Sequence, residues 1–447
     1  MSIRGFSFLL LMVTFGPAHH AEAQLTFGSY GRVGVGAQPN GQGAQVVRFT
    51  RYGPRIQEQP YAEVDFTYRG EGAEALPYET RLTLSLGESL FHADGNFESS
   101  VAVRNLYLEW RDIMARGLSV WAGSRMYRGD DVYLLDFWPL DEQNTLGAGL
   151  AYTHGRHEMR LHLGVHRLDA PFQVQTIEAP DLSFGTRPVT YMERQRGIVT
   201  LKHTFHLNWG ESSGLKWVTY GELHGLPRGV YRESDLDTLD LPSDWGHLLG
   251  AELSLYDRVR PNRLNLFFKY ATGLATVDEL EVPTQATLSE RTTGSRTFLA
   301  GVSGNYETRH WGLLVGGYAR YGIDSDDVIY DFDDRWEVVG ALRPTWFASE
   351  HFHLLTEASI QWLRPNGVSP VTQTHDMPMA VQVAAMPTLA AGRGNDSRPH
   401  LRLVFASTFQ NDDARALFAP EDPRAQRNRH DYAGLSAEWW FNSSRYP

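Results

Sequence analysis

The chain has 447 residues and a formal net charge of −12 at pH 7, and it contains no cysteine. An acidic balance of this size argues against nucleic-acid partners, which demand a basic face. Without thiols there are no disulfides, so the fold must rest on an apolar core or on a closed hydrogen-bonded sheet. Length alone suggests roughly two or three domains, a prior that one large barrel breaks.

In chain order, the first element is a leader. Arg4 supplies the positive start, "FSFLLLMVTFG" from Phe6 to Gly16 the apolar stretch, and Ala21-Glu22-Ala23 a small-x-small cleavage site. The apolar stretch is too short for a membrane-spanning helix, which needs about 20 residues. The pattern predicts a signal peptide over 1–23 and one mature domain over 24–447. Loss of Arg4 and Glu22 cancels, so the mature charge stays at −12.

From Gln24 onward no linker, low-complexity tract or helical stripe divides the chain. What recurs is two-residue alternation in segments of about ten residues, separated by Gly, Asp, Asn and Pro clusters. "LTFGSYGRVGVG", "YAEVDFTY", "LSVWAGSRMY", "HEMRLHLGVH", "HLRLVFASTF" and "YAGLSAEWWF" are examples. The chain therefore reads as all-β. A soluble sandwich would put Lys, Glu, Thr and Ser on its solvent face, whereas several of these strands carry aromatics or Gly on both faces. A transmembrane antiparallel β-barrel accounts for this, with lipid on one side and a polar lumen on the other.

Facing follows from parity. In the first segment Leu25, Phe27, Ser29, Gly31, Val33 and Val35 point to lipid, which leaves Tyr30 and Arg32 inside. In the second, Ala62, Val64, Phe66 and Tyr68 point out, and Tyr61, Glu63 and Asp65 point in. In the last, Ala433, Leu435, Ala437, Trp439 and Phe441 share the lipid face, and Glu438 and Trp440 face the lumen. The adjacent tryptophans thus serve different surfaces, Trp439 at the membrane interface and Trp440 in the channel.

Aromatic rings among ionised groups fit a saccharide, whose C–H faces stack on rings and whose hydroxyls bond carboxylates and guanidinium groups. The bland alternative is that these rings fill space in a narrow barrel. Other chemistries lack their residues. His162 and His166 share one strand face and read as a lumenal pair instead of a helical zinc site, "GRVGVG" lacks the spacing and helix of a dinucleotide site, and no G-x-S-x-G elbow occurs. No cofactor is expected, and a hydrolase would need an activated nucleophile that the chain does not supply.

The run "LSVWAGSRMYRGDDVYLLDFW" over 118–138, followed by "GAGL" at 147–150, resembles the maltoporin family of sugar-specific outer-membrane porins. "FGSYGRVGVG" from Phe27, "YAEV" from Tyr61, "ALRP" from Ala341, "SRPHLRLVFASTF" from Ser397 and the closing "AEWWF" match in the family's order over nearly the whole mature chain. The resemblance implies a barrel of about 18 strands, a homotrimer in outer-membrane lipid, and a third loop folded inward as a constriction. It also implies an aromatic slide beside a polar track. Carried over by position, Tyr30, Tyr61, Trp138 and Trp440 are the slide, and Arg32, Glu63, Arg104, Asp131 and Asp136 the track.

Departures accompany the matches. Gly129 stands where the family has a track arginine, with Arg128 next to it. Arg55 and Arg104 align only through gaps, and Trp336 falls out of register for a slide ring unless a bulge intervenes. Phe267 and Phe268 compete for one mid-barrel position, and six residues follow Phe441. The expected function is facilitated diffusion of maltose- and maltodextrin-type oligosaccharides, with a general diffusion porin as the alternative. Carboxylates at 63, 131 and 136 along the pathway predict a weak preference for cations.

Overall fold

The computed structural model describes residues 24–444 apart from 40, 42, 44, 58–59, 72–75, 89–98, 141–143, 167–173, 182–184, 211, 233–237, 258, 277–290, 326–331 and 333. The leader expected over 1–23 lies outside the described residues. The rest is almost entirely β: an 18-stranded antiparallel sheet, two small hairpins (Val174–Pro180 with Thr186–Met192, and Gly229–Arg232 with Thr238–Leu241), and the short helices Asp412–Arg415 and Pro423–Gln426.

Each barrel strand pairs with the next in the chain. The first, Gln24–Ala37, also pairs with the last, Arg429–Phe441, and this closes the barrel. Closure removes the sheet edges and satisfies the backbone groups without help from lipid. At one end strands join by tight turns, such as those between His154 and His157 and between Glu307 and Trp311; at the other the connections are long, as between Ala37 and Tyr61 or Met126 and Asn144. In outer-membrane barrels the tight turns face the periplasm.

The period of two sorts the side chains as the sequence predicts. Leu25, Phe27, Val35, Phe66, Leu435 and Phe441 are exposed on the outer face, whereas Tyr30, Glu63, Asp65 and Glu438 are buried on the inner one. Trp110, Trp209, Trp217, Trp311 and Trp346 ring the outer face towards the tight turns, and Trp245, Phe298 and Trp336 ring it towards the long loops. These are the two interfacial girdles of a membrane barrel. Trp336 keeps an unbroken register with Tyr321, their rings 4.9 Å apart on the outer face, so no bulge turns it inward. Phe267 faces in and Phe268 faces out.

Among the described residues three chain segments fold into the lumen, where sequence reasoning expected one. The expected one follows Met126 and crosses to the opposite wall. Val47–Ile56, in the connection after the first strand, lies along the wall built by residues 311–365: Thr50 donates to Gln361 Oε1 at 2.8 Å, the Arg51 amide to Glu337 Oε1 at 3.0 Å and the Tyr52 amide to Tyr318 Oη at 3.2 Å. The third lies in the turn between Ala390 and His400. Asn395 there donates to Asn305 Oδ1 at 2.7 Å, and Asp396 pairs with Arg263 at 2.8 Å. Neither unexpected segment carries an apolar run or a period that a sequence would show.

Candidate functional site: the lumenal face at the closing seam

The segment after Met126 enters the lumen for a hydrophobic reason. In "VYLLDFW" over 132–138 all residues but Asp136 are apolar or aromatic, and an exposed loop would leave them in water. Val132, Leu134, Leu135, Phe137 and Leu140 are buried instead against Phe267, Leu299, Leu314, Tyr318 and Val339 of the inner wall. Fully burying an aliphatic or Phe side chain is worth about 1.5–3 kcal/mol, so five of them contribute on the order of 10 kcal/mol to holding the segment inside. A turn of 3-10 helix, Tyr133–Leu135, and a hydrogen bond from the Val132 amide to the Phe137 carbonyl at 2.7 Å set its shape. At Gly316 the wall has no side chain, and a Cβ there would stand 2.9 Å from Val132 Cγ1.

Opposite this segment lies the seam. Pairing sets Tyr30 across from Glu63 on one side and Trp440 on the other, and Arg32 across from Tyr61 and Glu438. Six lumenal side chains from three strands thus occupy neighbouring rungs. Asp136, in left-handed conformation at the end of the 3-10 turn (φ 52°), reaches back to Arg32 at 2.9 Å. This is a backbone region that Asp tolerates better than most residues.

The rings differ in what they offer. Tyr30 is fully buried; its hydroxyl accepts from Arg32 at 3.2 Å and Arg55 at 2.8 Å and donates to Glu438 at 3.3 Å. Tyr61, 6.1 Å from Tyr30, is half-buried and has Arg32 over its ring at 5.2 Å. Trp440 is half-buried beside Tyr133, with Arg398 over its ring at 4.1 Å. Trp138 is only 2 % exposed and lies under the Arg128 guanidinium at 4.5 Å.

Among the track residues, Arg104 donates to Glu63 at 2.8 Å and to the Tyr61 hydroxyl at 3.0 Å. A β-bulge brings it there. Thr83 pairs with Asn105 and Leu84 with Val103, so Arg104 is the extra residue and faces inward together with Asn105. Arg128 reaches to 3.6 Å from Glu63, next to the position where Gly129 replaces the family's arginine. Asp131 stands at the head of the inward segment, towards Arg263. The structure therefore gathers Tyr30, Arg32, Tyr61, Glu63, Arg104 and Asp136 in one cluster, with Trp440 beside it at the seam and Trp138 linked through Arg128.

Sequence reasoning missed Tyr52, Tyr133 and Arg398. Tyr52 stacks on Phe137 at 4.0 Å, and Tyr133 donates to Glu438 at 2.7 Å. Glu438 also meets Arg55 at 3.4 Å, Arg398 at 3.0 Å and His400 at 3.3 Å. One buried carboxylate thereby ties all three inward segments, and the strand that begins at His400, to the seam. The cation preference also loses part of its premise, because Glu63 is buried behind the arginines that were to share the pathway with it.

No curated protein sequence matches this chain at a significant level. Among solved structures it is similar to the Pseudomonas aeruginosa channel OccD3 (OpdP), with 8 % identity, coverage of 94 % of this chain and 93 % of that one, and a TM-score of 0.45. It is also similar to the outer membrane channel DcaP of Acinetobacter baumannii, with 8 % identity, coverage of 96 % and 99 %, and a TM-score of 0.46. A family model described as LamB porin matches residues 25–441. With that match spanning the closed barrel from first strand to last, the chain belongs to the LamB porin family and is a multi-pass channel of the outer membrane.

Proposed function

We propose that this porin conducts saccharides by facilitated diffusion, with maltose- and maltodextrin-type oligosaccharides as its substrates, and that it works as a homotrimer delivered by the leader over 1–23. The observation that carries this reading is the strip at the seam. Tyr61 and Trp440 keep ring surface open to the lumen, and Arg32, Arg104 and Asp136 stand beside them with donors and acceptors for hydroxyl groups. A sugar stacks on a ring and exchanges water for these partners. Each contact is weak, so a chain of sugars can enter and leave, as conduction requires. Passage calls for no covalent step and no cofactor.

Burial of Tyr30 and the cover over Trp138 favour a second reading, a general diffusion porin with too few open rings to hold sugar. Swelling of protein-containing liposomes separates the two. A saccharide channel admits maltotriose faster than a polyethylene glycol of equal hydrodynamic radius, and the rate saturates with sugar concentration. Rates ordered by size alone would leave only general diffusion.

A further inference from the structure

Between the seam and the tight turns, the inner wall of residues 61–126 has an uneven distribution of charge. Arg69 is 45 % exposed, whereas its partner Glu79, at 2.8 Å, is 2 % exposed. Arg104 is 24 % exposed and Glu63, its partner, not at all. The carboxylates of Glu63, Asp65, Glu79 and Glu109 lie at the back, against the barrel, and the guanidinium groups stand in front of them on the side that a solute meets.

The arginines also outnumber their anions locally. Glu79 is shared by Arg69, Arg111 and Arg81, at 2.8, 2.8 and 3.6 Å, and accepts from the Tyr107 hydroxyl at 3.2 Å as well. Glu109 serves Arg111 and Arg125 at 3.6 and 3.4 Å. Asp65, also buried, takes its hydrogen bonds from Thr83 and the Ser444 amide. Two carboxylate oxygens cannot saturate three forked donors, each carrying five N–H groups.

These guanidinium groups form a connected series. Arg104 stands at the seam, Arg125 lies over the Tyr107 ring at 4.5 Å, and Arg81 and Arg69 sit near the tight turns on cross-strand neighbouring rungs. Guanidinium groups in such a row bind carboxylates through paired hydrogen bonds, and the half-buried Tyr61 ring at the Arg104 end of the row is placed to stack a sugar that bears one.

The geometry points to a binding strip on this wall, from Arg104 to Arg69, for carboxylate-bearing saccharides such as uronic acid oligomers. It rests on the saccharide-channel reading and extends it from neutral sugars to acidic ones. Its consequence for ions is a lumen that favours chloride over potassium.

The test is current block in planar bilayers by trigalacturonate and by maltotriose, with reversal potentials in a potassium chloride gradient, on the wild type and on Arg81→Gln. Arg81 is the most loosely held partner of Glu79, so its loss leaves Arg69 and Arg111 to neutralise that carboxylate, and an unchanged heat-modified mobility checks the fold. The expected result is a chloride-selective pore that trigalacturonate half-blocks at a concentration at least tenfold below maltotriose. In Arg81→Gln the acidic sugar should need about fivefold more, with maltotriose unchanged. Equal block by both sugars, or a cation-selective pore, overturns the strip and leaves the neutral-sugar channel standing. Block by neither sugar overturns both.

Discussion

The guanidinium of Arg398 lies 4.1 Å from the centre of the Trp440 ring, so one face of the last lumenal ring is covered by a side chain from the turn between Ala390 and His400. The same arginine donates to Glu438 and to the Tyr133 hydroxyl. Cover and anchor are therefore one residue. The turn keeps separate holds through Asn395 and Asp396, so Arg398→Ala should bare the ring without releasing the turn. The concentration of maltodextrin that half-blocks the current should fall. A rise in that concentration would mean that sugar binds the arginine and not the ring.

The two adjacent tryptophans give a paired expectation. Trp440→Ala removes a stacking surface worth on the order of 1 kcal/mol, which corresponds to roughly five- to tenfold weaker sugar block. Trp439 lies on the outer face, where its indole donates to Ser29 at 3.1 Å and its ring covers Gly31. Trp439→Ala should leave block unchanged and lower the temperature at which the barrel loses its folded mobility on gels. Equal loss of block in both variants would contradict the facing described here.

Gly316 tests the seating of the inward segment. A Val there places methyl groups against Val132 and Leu134, whose atoms already stand 2.9 and 3.2 Å from an added Cβ. Overpacking of this kind is destabilising by about 1–3 kcal/mol, and the segment can relieve it by moving off the wall. Single-channel conductance should change and sugar block weaken, with the barrel intact by heat-modified mobility. Conductance and block equal to the wild type would show that the segment tolerates the contact.

Glu438→Gln removes the charge on which Arg55, Arg398 and His400 converge. Breaking a buried pair on one side is typically destabilising by about 3–5 kcal/mol, because the partner charges stay buried. The urea midpoint of unfolding in detergent should drop clearly below that of the wild type. A midpoint within error would show that water reaches the cluster and supplies what Glu438 does.

Parity made the seam legible from sequence. Tyr30, Arg32, Tyr61, Glu63, Glu438 and Trp440 all lie on regular strands, where a period of two settles which way each points. Arg104 escaped that reasoning because a bulge inserts it into the ladder, and a bulge is a property of two strands together. Tyr52 and Arg398 escaped because connecting segments have no period. The burial of Tyr30 and Phe267 was out of reach for a third reason: their facing is local, but what lies on top of them comes from residues far away in the chain.

Single-channel recording with maltohexaose, on the wild type and Tyr61→Ala in parallel, tests the saccharide pathway at the seam most directly. The wild-type current should show brief closures whose frequency rises with sugar concentration, and Tyr61→Ala should need roughly five- to tenfold more sugar for the same closed fraction, as loss of one stacking contact requires. A steady wild-type current that maltohexaose does not interrupt would contradict a saccharide pathway at the seam.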